Sequence, residues 1–329
     1  MKKPALSVAM SVYNGASHLA LAIESILNQT APDFEFLILN DGSNDDSAQI
    51  IDHYAASDSR IRAIHRENRG LIQSLNELVD QARAPLIARM DCDDISLPNR
   101  FEKQLAFMAA QPEYGVVGTW SDDIDEFGAP CAIKGNDHAT THQAFLENID
   151  EGPLVCHPSV MMKRADVLAV GGYHQAFQHC EDYDLWLRLA GVTQICSLPE
   201  RLIKYRHWSN QVSSRYAYLQ QTGAAIAYFA YLERLAGRPD PTENLTALPP
   251  LDQLDALFGR DGIANQVCAR VVPTLVYSEV ALKSQGYDLV IHYVRQGGRA
   301  RGLWRTVARL TRIGEPRRAA GLARALMQR

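Results

Sequence analysis

Few features of this sequence point away from an ordinary cytoplasmic globular protein. Its six cysteines include no C-x-x-C pair and are too sparse for a secreted disulfide scaffold, so we expect reduced thiols. No stretch approaches the roughly 20 apolar residues that a membrane-spanning helix needs. The strand-like segment that follows Pro4 is too short for the apolar core of a signal peptide. These absences predict a cytoplasmic location.

A large excess of one charge is also missing, because the net charge is −5. This balance argues against attraction of the whole chain to nucleic acid. The charge is uneven, however, since residues 295–329 contain ten arginines and one acid, Glu315. With 47% hydrophobic and 22% charged residues, the 329 residues suffice for one large domain with a sizeable core and an appendage.

In the first half of the chain, buried strands alternate with amphipathic helices. The predicted strands cover 6–12, 34–39, 61–65 and 85–90, and the predicted helices cover 17–28, a segment capped by Asn44 or Asp45, and 70–82. Pro98 is expected to open the next helix, where its missing N–H costs nothing. This alternation with short connections predicts an α/β protein with a mostly parallel central sheet flanked by helices.

The pattern changes after Gly115. The sequence predicts a turn between strands over 122–128, a helix over 140–148, a strand over 157–162, a helix over 182–190 and short strands over 192–198 and 202–205. From about Ala217 the chain is predicted to be helical, with a linker at 238–241. No internal repeat or low-complexity tract is present in the sequence.

Polar loops follow three of the predicted strands, at Tyr13-Asn14, Asn40-Asp41 and Asp91 to Asp94. In parallel sheets, ligands bind at the carboxyl ends of the strands. We therefore expect these three loops to converge on one edge of the sheet and to form a ligand site there.

The run Asp91-Cys92-Asp93-Asp94 places three carboxylates within four residues. Carboxylates this close repel one another unless a cation or solvent compensates them, and hard divalent ions prefer such oxygen ligands. On an extended chain Asp91 and Asp93 would share a face while Asp94 would point elsewhere. The alternative is a solvated acidic turn that caps the following helix.

Other polar positions have a structural interpretation beside the functional one. Asp41 could accept hydrogen bonds from a base or ribose, or could be a turn residue. Glu181 and Asp182 start a predicted helix, where carboxylates are usually caps but can also act as a general base. Two glycines before Tyr173 would suit a sugar ring or a tight turn. Arg206 and His207 could contact phosphate or be simply exposed.

The ordered set of motifs resembles the inverting, GT-A-fold bacterial glycosyltransferases called family 2. The resemblance covers roughly residues 5 to 215 and is carried by the following segments: 11–15, 40–43, 68–70, 88–94, 97–100, 157–159, 171–173, 181–186 and 205–206. It implies the fold of nucleotide-diphospho-sugar transferases, with a catalytic domain over 1–215 and a helical extension over 216–329. Within the catalytic domain, roughly 1–120 would bind the nucleotide-sugar and 121–215 the acceptor.

The resemblance also implies a role for each matching position. The donor would be bound by Val12, Tyr13, Asn14, Asp41, Gly70, Asp91 and Cys92. The metal, Mn²⁺ or Mg²⁺, would be held by Asp93 and also by Asp91. The acceptor side would be shaped by Gly172, Tyr173, Glu181 and Trp186. Asp182 would be the general base that deprotonates the acceptor hydroxyl.

Two positions depart from the family pattern. Ser11 stands where a proline is usual, and a histidine near the diphosphate arrives one position early, as His207, with Trp208 in the usual place. The implied activity is transfer of a hexose or N-acetylhexosamine from a UDP-linked donor to a glycan or lipid-linked glycan in cell-surface polysaccharide biosynthesis. The alternatives are a nucleotidyltransferase, which should have a glycine-rich basic loop after its first strand, and a non-catalytic glycan-binding relative.

The basic carboxyl end has its apolar residues near helical spacing, at Leu303, Trp304, Val307, Leu310 and Ile313. A basic amphipathic helix of this kind can lie on an anionic membrane, which would place the protein at the inner face of the plasma membrane. It can equally pack its apolar side on the catalytic domain or on a second subunit. The sequence leaves the oligomeric state open.

Overall fold

The computed structural model describes residues 3–131, 137–152, 154–207, 216–299 and 302–328. The chain forms two compact units, of which the first comprises Met1–His174 and Leu185–Trp208. The second comprises Gln175–Asp184 and Ser209–Arg329. The second unit therefore includes a short segment that the sequence assigns to the catalytic domain.

The first unit is built on an eight-stranded sheet of order β3-β2-β1-β4-β7-β6-β8-β5. Its strands are β1 Leu6–Val12, β2 Phe34–Asp41, β3 Ile61–Arg66, β4 Leu86–Asp91, β5 Ile95–Ser96, β6 Tyr114–Ile124, β7 Met161–Lys163 and β8 Gln194–Arg206. Neighbouring strands among β1 to β4 are parallel, as are β6 and β8. Strand β7 is antiparallel to both β4 and β6, and β5 is antiparallel to β8. The predicted mostly parallel sheet is confirmed.

Helices flank this sheet. They are α1 Ala16–Leu27, α2 Ser47–Ser57, α3 Leu71–Gln81, α4 Arg100–Ala110, α5 His142–Glu147, α6 Arg164–Ala169 and α7 Glu181–Leu189, of which α7 begins in the second unit. β2 is buried at every position and β1 at all but one, which explains why both strands are apolar almost throughout.

Glu35 is a charged residue near the start of the buried strand β2. Its carboxylate accepts hydrogen bonds from Ser7 Oγ at 2.7 Å, from Arg83 Nε at 2.7 Å and from Arg62 Nη1 at 3.0 Å. Burial alone would raise the pKa of Glu35, but the hydrogen bonds from Ser7, Arg83 and Arg62 outweigh it and lower that pKa. A buried carboxylate is tolerated here because it is fully paired.

Four predicted element boundaries are wrong. Helix α4 begins at Arg100, after Pro98, and β6 runs on to Ile124 because it pairs with β8 as far as Arg206. Residues His157–Ser159 form a 3₁₀ turn, so β7 is shorter than predicted. The two strands predicted between 192 and 205 are one strand, β8, whose pairing with β6 slips around Pro199 because proline cannot donate to the ladder.

The second unit is helical, which confirms the predicted helical carboxyl-terminal region. Its helices are α8 Ala217–Leu235, α9 Leu254–Phe258, α10 Ile263–Leu275, α11 Glu279–Leu282, α12 Gln285–Arg295, α13 Leu303–Arg312 and α14 Pro316–Met327. The predicted linker lies inside this unit, where Asp240 pairs with Arg234 and Arg238 pairs with Glu233. Among the described helices, none combines the length and apolar character needed to cross a bilayer.

The amphipathic carboxyl-terminal segment forms α13. Leu303, Thr306 and Leu310 are buried in the second unit, whereas Trp304 is 53% exposed. Two of the five residues of the predicted apolar stripe, Leu303 and Leu310, are therefore used for packing, and contact of this helix with a membrane or a second subunit stays a prediction.

Candidate active site

The loops after β1, β2 and β4 converge, as predicted. The Asn14 N–H donates to Ser43 Oγ at 2.9 Å, and the Asn44 N–H donates to Asn14 Oδ1 at 2.8 Å. A Cβ added at Gly15 would lie 2.8 Å from Cys92 Sγ, so the loop after β1 also touches the loop after β4. These contacts hold three loop segments together at the carboxyl edge of the sheet.

Side chains of the second loop cap the start of α1. The Gly15 N–H donates to Ser47 Oγ at 3.0 Å, and the Ala16 N–H donates to Asp45 Oδ2 at 3.0 Å. The first N–H groups of a helix have no partner within it, so these contacts satisfy two of them. These hydrogen bonds join the loop after β1 to the segment after β2, whose residues lie about 30 positions further along the chain.

The acidic run ends β4 and gathers three carboxylates. One oxygen from each of Asp91, Asp93 and Asp94 lies within 4.8 Å of the others. Asp94 is 1% exposed, and its Oδ1 accepts the Arg206 N–H at 2.8 Å. Within the described residues, Asp94 Oδ2 is buried and has no hydrogen-bond partner. The prediction that Asp94 points away from the other two is therefore wrong.

The electrostatics of this cluster fit a divalent cation. Burial, and then the charges of Asp93 and Asp91, raise the pKa of Asp94 well above its ordinary value. Burial and the same carboxylates raise the pKa of the Cys92 thiol, which keeps it protonated. A bound cation would relieve this repulsion and give the Asp94 Oδ2 a partner. The three carboxylates are the donor set that Mg²⁺ or Mn²⁺ prefers.

Two buried arginines brace the acidic run. Arg89, on β4, forms an ion pair with Asp91 and is 4% exposed. Arg206 is 2% exposed; its Nε donates to the Asp93 carbonyl at 2.7 Å, and its Nη1 donates to the Asp125 and Glu126 carbonyls at 3.1 Å each. Arg206 is thus neither exposed nor available to a phosphate, and it instead fixes the loop backbone.

His207 follows Arg206 but takes a different contact. Its Nε2 lies 2.8 Å from Asp123 Oδ1, and its N–H donates to the Ile124 carbonyl at 2.8 Å. The residue that occupies the usual position of the family histidine, Trp208, lies outside the described residues.

Asp41 is buried beneath the start of α3. Its two carboxylate oxygens accept the N–H groups of Arg69 and Gly70, each at 2.9 Å, and Arg66 Nη1 lies 2.9 Å from Oδ1. The predicted donor residues Asp41 and Gly70 are therefore bound to each other. Tyr13 is 52% exposed at the same edge, where a base could stack on it. The contacts of Val12, Tyr13, Asn14, Asp41 and Gly70 with a nucleotide stay predictions.

The residues predicted to shape the acceptor side are mostly buried. Tyr173 is held by Asn76, which accepts its N–H at 2.7 Å and donates to its carbonyl at 2.8 Å. The Tyr173 hydroxyl lies 2.9 Å from His157 Nε2, and Trp186 packs edge-on against His157. A Cβ at Gly172 would lie 2.5 Å from Asn76 Oδ1. Tyr173 and Trp186 are buried and contact His157, so their direct contact with an acceptor stays a prediction.

The predicted base lies at the start of α7. Asp182 is half-buried, and its Oδ1 accepts the Tyr183 N–H at 2.7 Å, whereas Glu181 is buried. The residue before this helix, His179, has a left-handed φ of 71° and stacks on Tyr216 with ring centroids 4.0 Å apart. These residues belong to the second unit.

Arg89 and Arg206 are the functional residues to which sequence reasoning gave no bracing role. Arg89 lies between Ala88 and Met90 in a strand that is otherwise apolar. A charge in such a strand must find a partner, and this could have indicated an ion pair with the following acid. Nothing local in the sequence indicates that Arg206 binds the carbonyl of Asp93, because that contact joins β8 to the loop after β4.

Comparison with known proteins identifies close relatives. The sequence model described as Glycosyl transferase family 2 matches residues 7–166. WbnJ of Escherichia coli, an O-antigen biosynthesis glycosyltransferase, is 34% identical over 229 residues, which are 68% of this chain and 88% of WbnJ. EpsE of Bacillus subtilis is 37% identical over 195 residues, which are 56% of this chain and 66% of EpsE.

A solved structure has the same fold at low identity. The crystal structure of TarS 1–349 from S. aureus matches with a TM-score of 0.58 and 14% identity, covering 98% of this chain and 91% of the TarS 1–349 chain. At this identity the likeness concerns the fold alone. It confirms the GT-A fold that the motifs predict.

Proposed function

Because this chain belongs to glycosyl transferase family 2, we propose that it is an inverting enzyme that uses a UDP-linked sugar. The acceptor would be a hydroxyl of a glycan or lipid-linked glycan in cell-surface polysaccharide biosynthesis. The observation that carries the proposal is the cluster of Asp91, Asp93 and Asp94, with ligand oxygens within 4.8 Å of one another at the edge where three loops meet. The naming of WbnJ as an O-antigen enzyme supports the pathway class.

The donor would lie across the loops that follow β1, β2 and β4. Tyr13 would stack on the base, and Asn14, Cys92 and the backbone near Val12 would line the nucleotide. Asp41 holds the Arg69 and Gly70 N–H groups and so fixes the backbone next to the ribose position. Burial of these polar groups in a bonded network keeps the pocket in one geometry before the donor arrives.

Asp93 and Asp94 would hold a divalent metal, with Asp91 beside them. Asp94 offers an oxygen that lacks a partner among the described residues, whereas Asp91 is already paired with Arg89. A bound Mn²⁺ or Mg²⁺ would supply Lewis-acid stabilisation of the leaving diphosphate. The ion pair with Arg89 fixes the orientation of the Asp91 carboxylate through Oδ2. Its other oxygen, Oδ1, would then face the ribose.

Asp182 would be the general base. It would take the proton of the acceptor hydroxyl as that oxygen forms a bond to the anomeric carbon of the donor. The bond from this carbon to the diphosphate oxygen breaks at the same time, so one displacement inverts the anomeric centre. Asp182 is half-buried, while its neighbour Glu181 is buried, so Asp182 is the better placed of the two to meet a substrate.

Two alternative functions, a nucleotidyltransferase and a non-catalytic glycan-binding protein, fit the loops of this chain less well. A nucleotidyltransferase needs a basic, glycine-rich loop after the first strand, and the residues after β1, Tyr13-Asn14-Gly15, are neither. A non-catalytic glycan-binding relative has no need of the buried carboxylate cluster, which is costly in the absence of a cation.

The test is transfer from a panel of nucleotide-sugars by the purified chain. We expect Asp93→Ala and Asp182→Asn each to abolish transfer, whereas Asp80→Asn, on the exposed side of α3, should have no effect. Circular dichroism should show that all three variants fold. NMR of the product should show the inverted anomer. Turnover near the wild-type rate in Asp93→Ala or Asp182→Asn would reject the role of that residue.

A further inference from the structure

A cavity of about 930 Å³ lies within the second unit, formed by α10, α12, α13 and their connections. This volume is in the range of pockets that bind small molecules. The residues that we assign to donor, metal and base do not line it. The cavity is therefore a separate feature of the carboxyl-terminal helices.

The lining of the cavity is positively charged. Among the described residues that line it, Arg299, Arg305 and Arg309 are charged, and none is an aspartate or a glutamate. Among the described residues, none of the three forms an ion pair with an acid. Arg309 is held in place, because its Nη1 donates to the Val276 carbonyl at 3.2 Å and its guanidinium lies 4.9 Å from the Tyr277 ring centre.

A hydrogen bond also holds the backbone of the cavity wall at Arg299. The Arg299 N–H donates to the Tyr293 hydroxyl at 2.9 Å, which fixes the turn after α12 against that ring. Arginine groups on a fixed wall recognise phosphate well, because the guanidinium presents several donors in one plane.

The rest of the lining is mixed. Its polar members are Asn265, Tyr277, Tyr293, Gln296 and Thr306, and its apolar members are Ala269, Val272, Pro273, Val276 and Leu303. Of the apolar members, Ala269 and Pro273 are exposed and Val276 is half-buried, so these three offer an accessible apolar wall. Arginines that have no acidic partner among the described residues, beside such a wall, match a phosphate that carries a hydrocarbon chain.

We propose that this cavity binds the phosphate group of a lipid, with Arg299 and Arg305 on the phosphate and the chain on the wall of Ala269, Pro273 and Val276. The site is distinct from the proposed donor site and does not depend on it. Charge complementarity selects an anion, and the apolar wall selects one with an acyl or prenyl chain over a bare anion.

The test compares three small probes by calorimetry with the full chain. Octyl phosphate has both parts of the proposed ligand, inorganic phosphate only the charge, and octyl glucoside only the chain, all used below micelle formation. We expect octyl phosphate to bind more tightly than either of the others. R299Q/R305Q should weaken its binding about tenfold, as expected for loss of charge-assisted hydrogen bonds at an exposed site.

A matched control separates this site from general positive charge. R312Q/R317Q removes the same charge from two exposed positions, at the end of α13 and the start of α14, that are not among the lining residues. Octyl phosphate should therefore bind this variant as tightly as it binds the wild type. Equal melting temperatures should show that both variants fold. Vesicles that contain phosphatidylglycerol should compete with octyl phosphate, and pure phosphatidylcholine vesicles should compete less.

Three results would overturn the proposal. Equal loss of binding in both double variants would indicate non-specific attraction to positive charge. Equal binding of inorganic phosphate and octyl phosphate would indicate a site for free phosphate. Failure of phosphatidylglycerol vesicles to compete would exclude a lipid source.

Discussion

Arg206 joins three segments of the first unit, and its replacement should loosen the acidic run. Its side chain is 2% exposed and donates to the carbonyls of Asp93, Asp125 and Glu126 at 2.7 to 3.1 Å. Arg206→Met keeps the apolar stem of the side chain and removes only the guanidinium. The backbone N–H that holds Asp94 remains, so the variant isolates the effect of the side chain.

The expected cost follows from the three carbonyls that lose their donor. A buried acceptor left without a partner costs about 1–3 kcal/mol, which would give roughly 3–9 kcal/mol for three. Removal of a buried guanidinium also removes its desolvation penalty, and water can reach part of the exposed turn after β6. We therefore expect the free energy of unfolding to fall by about 3 kcal/mol, near the lower end of this range.

Urea unfolding followed by tryptophan fluorescence measures this change. A Trp304→Phe background removes the only tryptophan of residues 209–329, so the signal reports on residues 1–208. The control is Lys204→Met on the same strand, a half-buried side chain that has no ion pair or side-chain hydrogen bond among the described residues. A substitution of this kind usually changes the free energy of unfolding by about 0.5 kcal/mol or less. Equal losses in Arg206→Met and Lys204→Met would refute the bracing role.

Three further outcomes follow from local contacts. Glu35→Gln should lower the free energy of unfolding by about 1–3 kcal/mol above about pH 5. Because the pKa of Glu35 is lowered in the folded state, the stabilisation that its carboxylate gives is lost as the pH falls through that folded-state pKa. Urea titrations should therefore show that the difference between the variant and the wild type vanishes in acid. Gly172→Ala should cost about 2 kcal/mol more than Gly171→Ala, because a new Cβ would lie 2.5 Å from Asn76 Oδ1, whereas the Gly171 site is open; equal melting temperatures would contradict this. Asp94→Asn should leave the metal-free protein at least as stable but reduce the rise in melting temperature that Mn²⁺ gives; an undiminished rise would exclude Asp94 as a ligand.

The alternating half of the fold could be predicted from sequence because β1 and β2 are buried almost throughout. Most of their residues are apolar, with polar positions such as Ser7 and Glu35 among them, and a polar loop follows each of these two strands. The convergence of the loops then follows from parallel topology alone. Prediction failed where non-local pairing sets the boundary, as in β8, which continues through Pro199 as one strand because it bulges there against β6.

The site was predictable as a set of loops, but not as a set of contacts. The direction of Asp94 could not be predicted, because its Oδ1 is fixed by the N–H of Arg206, a residue 112 positions away. In the same way, sequence spacing cannot show that Tyr173 and Trp186 are buried around His157. Such positions depend on tertiary packing, which a local pattern does not contain.

Thermal protection by nucleotide-sugars tests the central claim most directly. A ligand that binds only the folded state raises the melting temperature in proportion to the logarithm of its concentration over its dissociation constant. We predict that at least one UDP-sugar raises the melting temperature of the full chain in the presence of Mn²⁺ or Mg²⁺. The rise should disappear with a chelator and in Asp93→Asn. A rise that is unchanged by the chelator, or no rise with any nucleotide-sugar, would contradict a metal-dependent donor site at Asp91, Asp93 and Asp94.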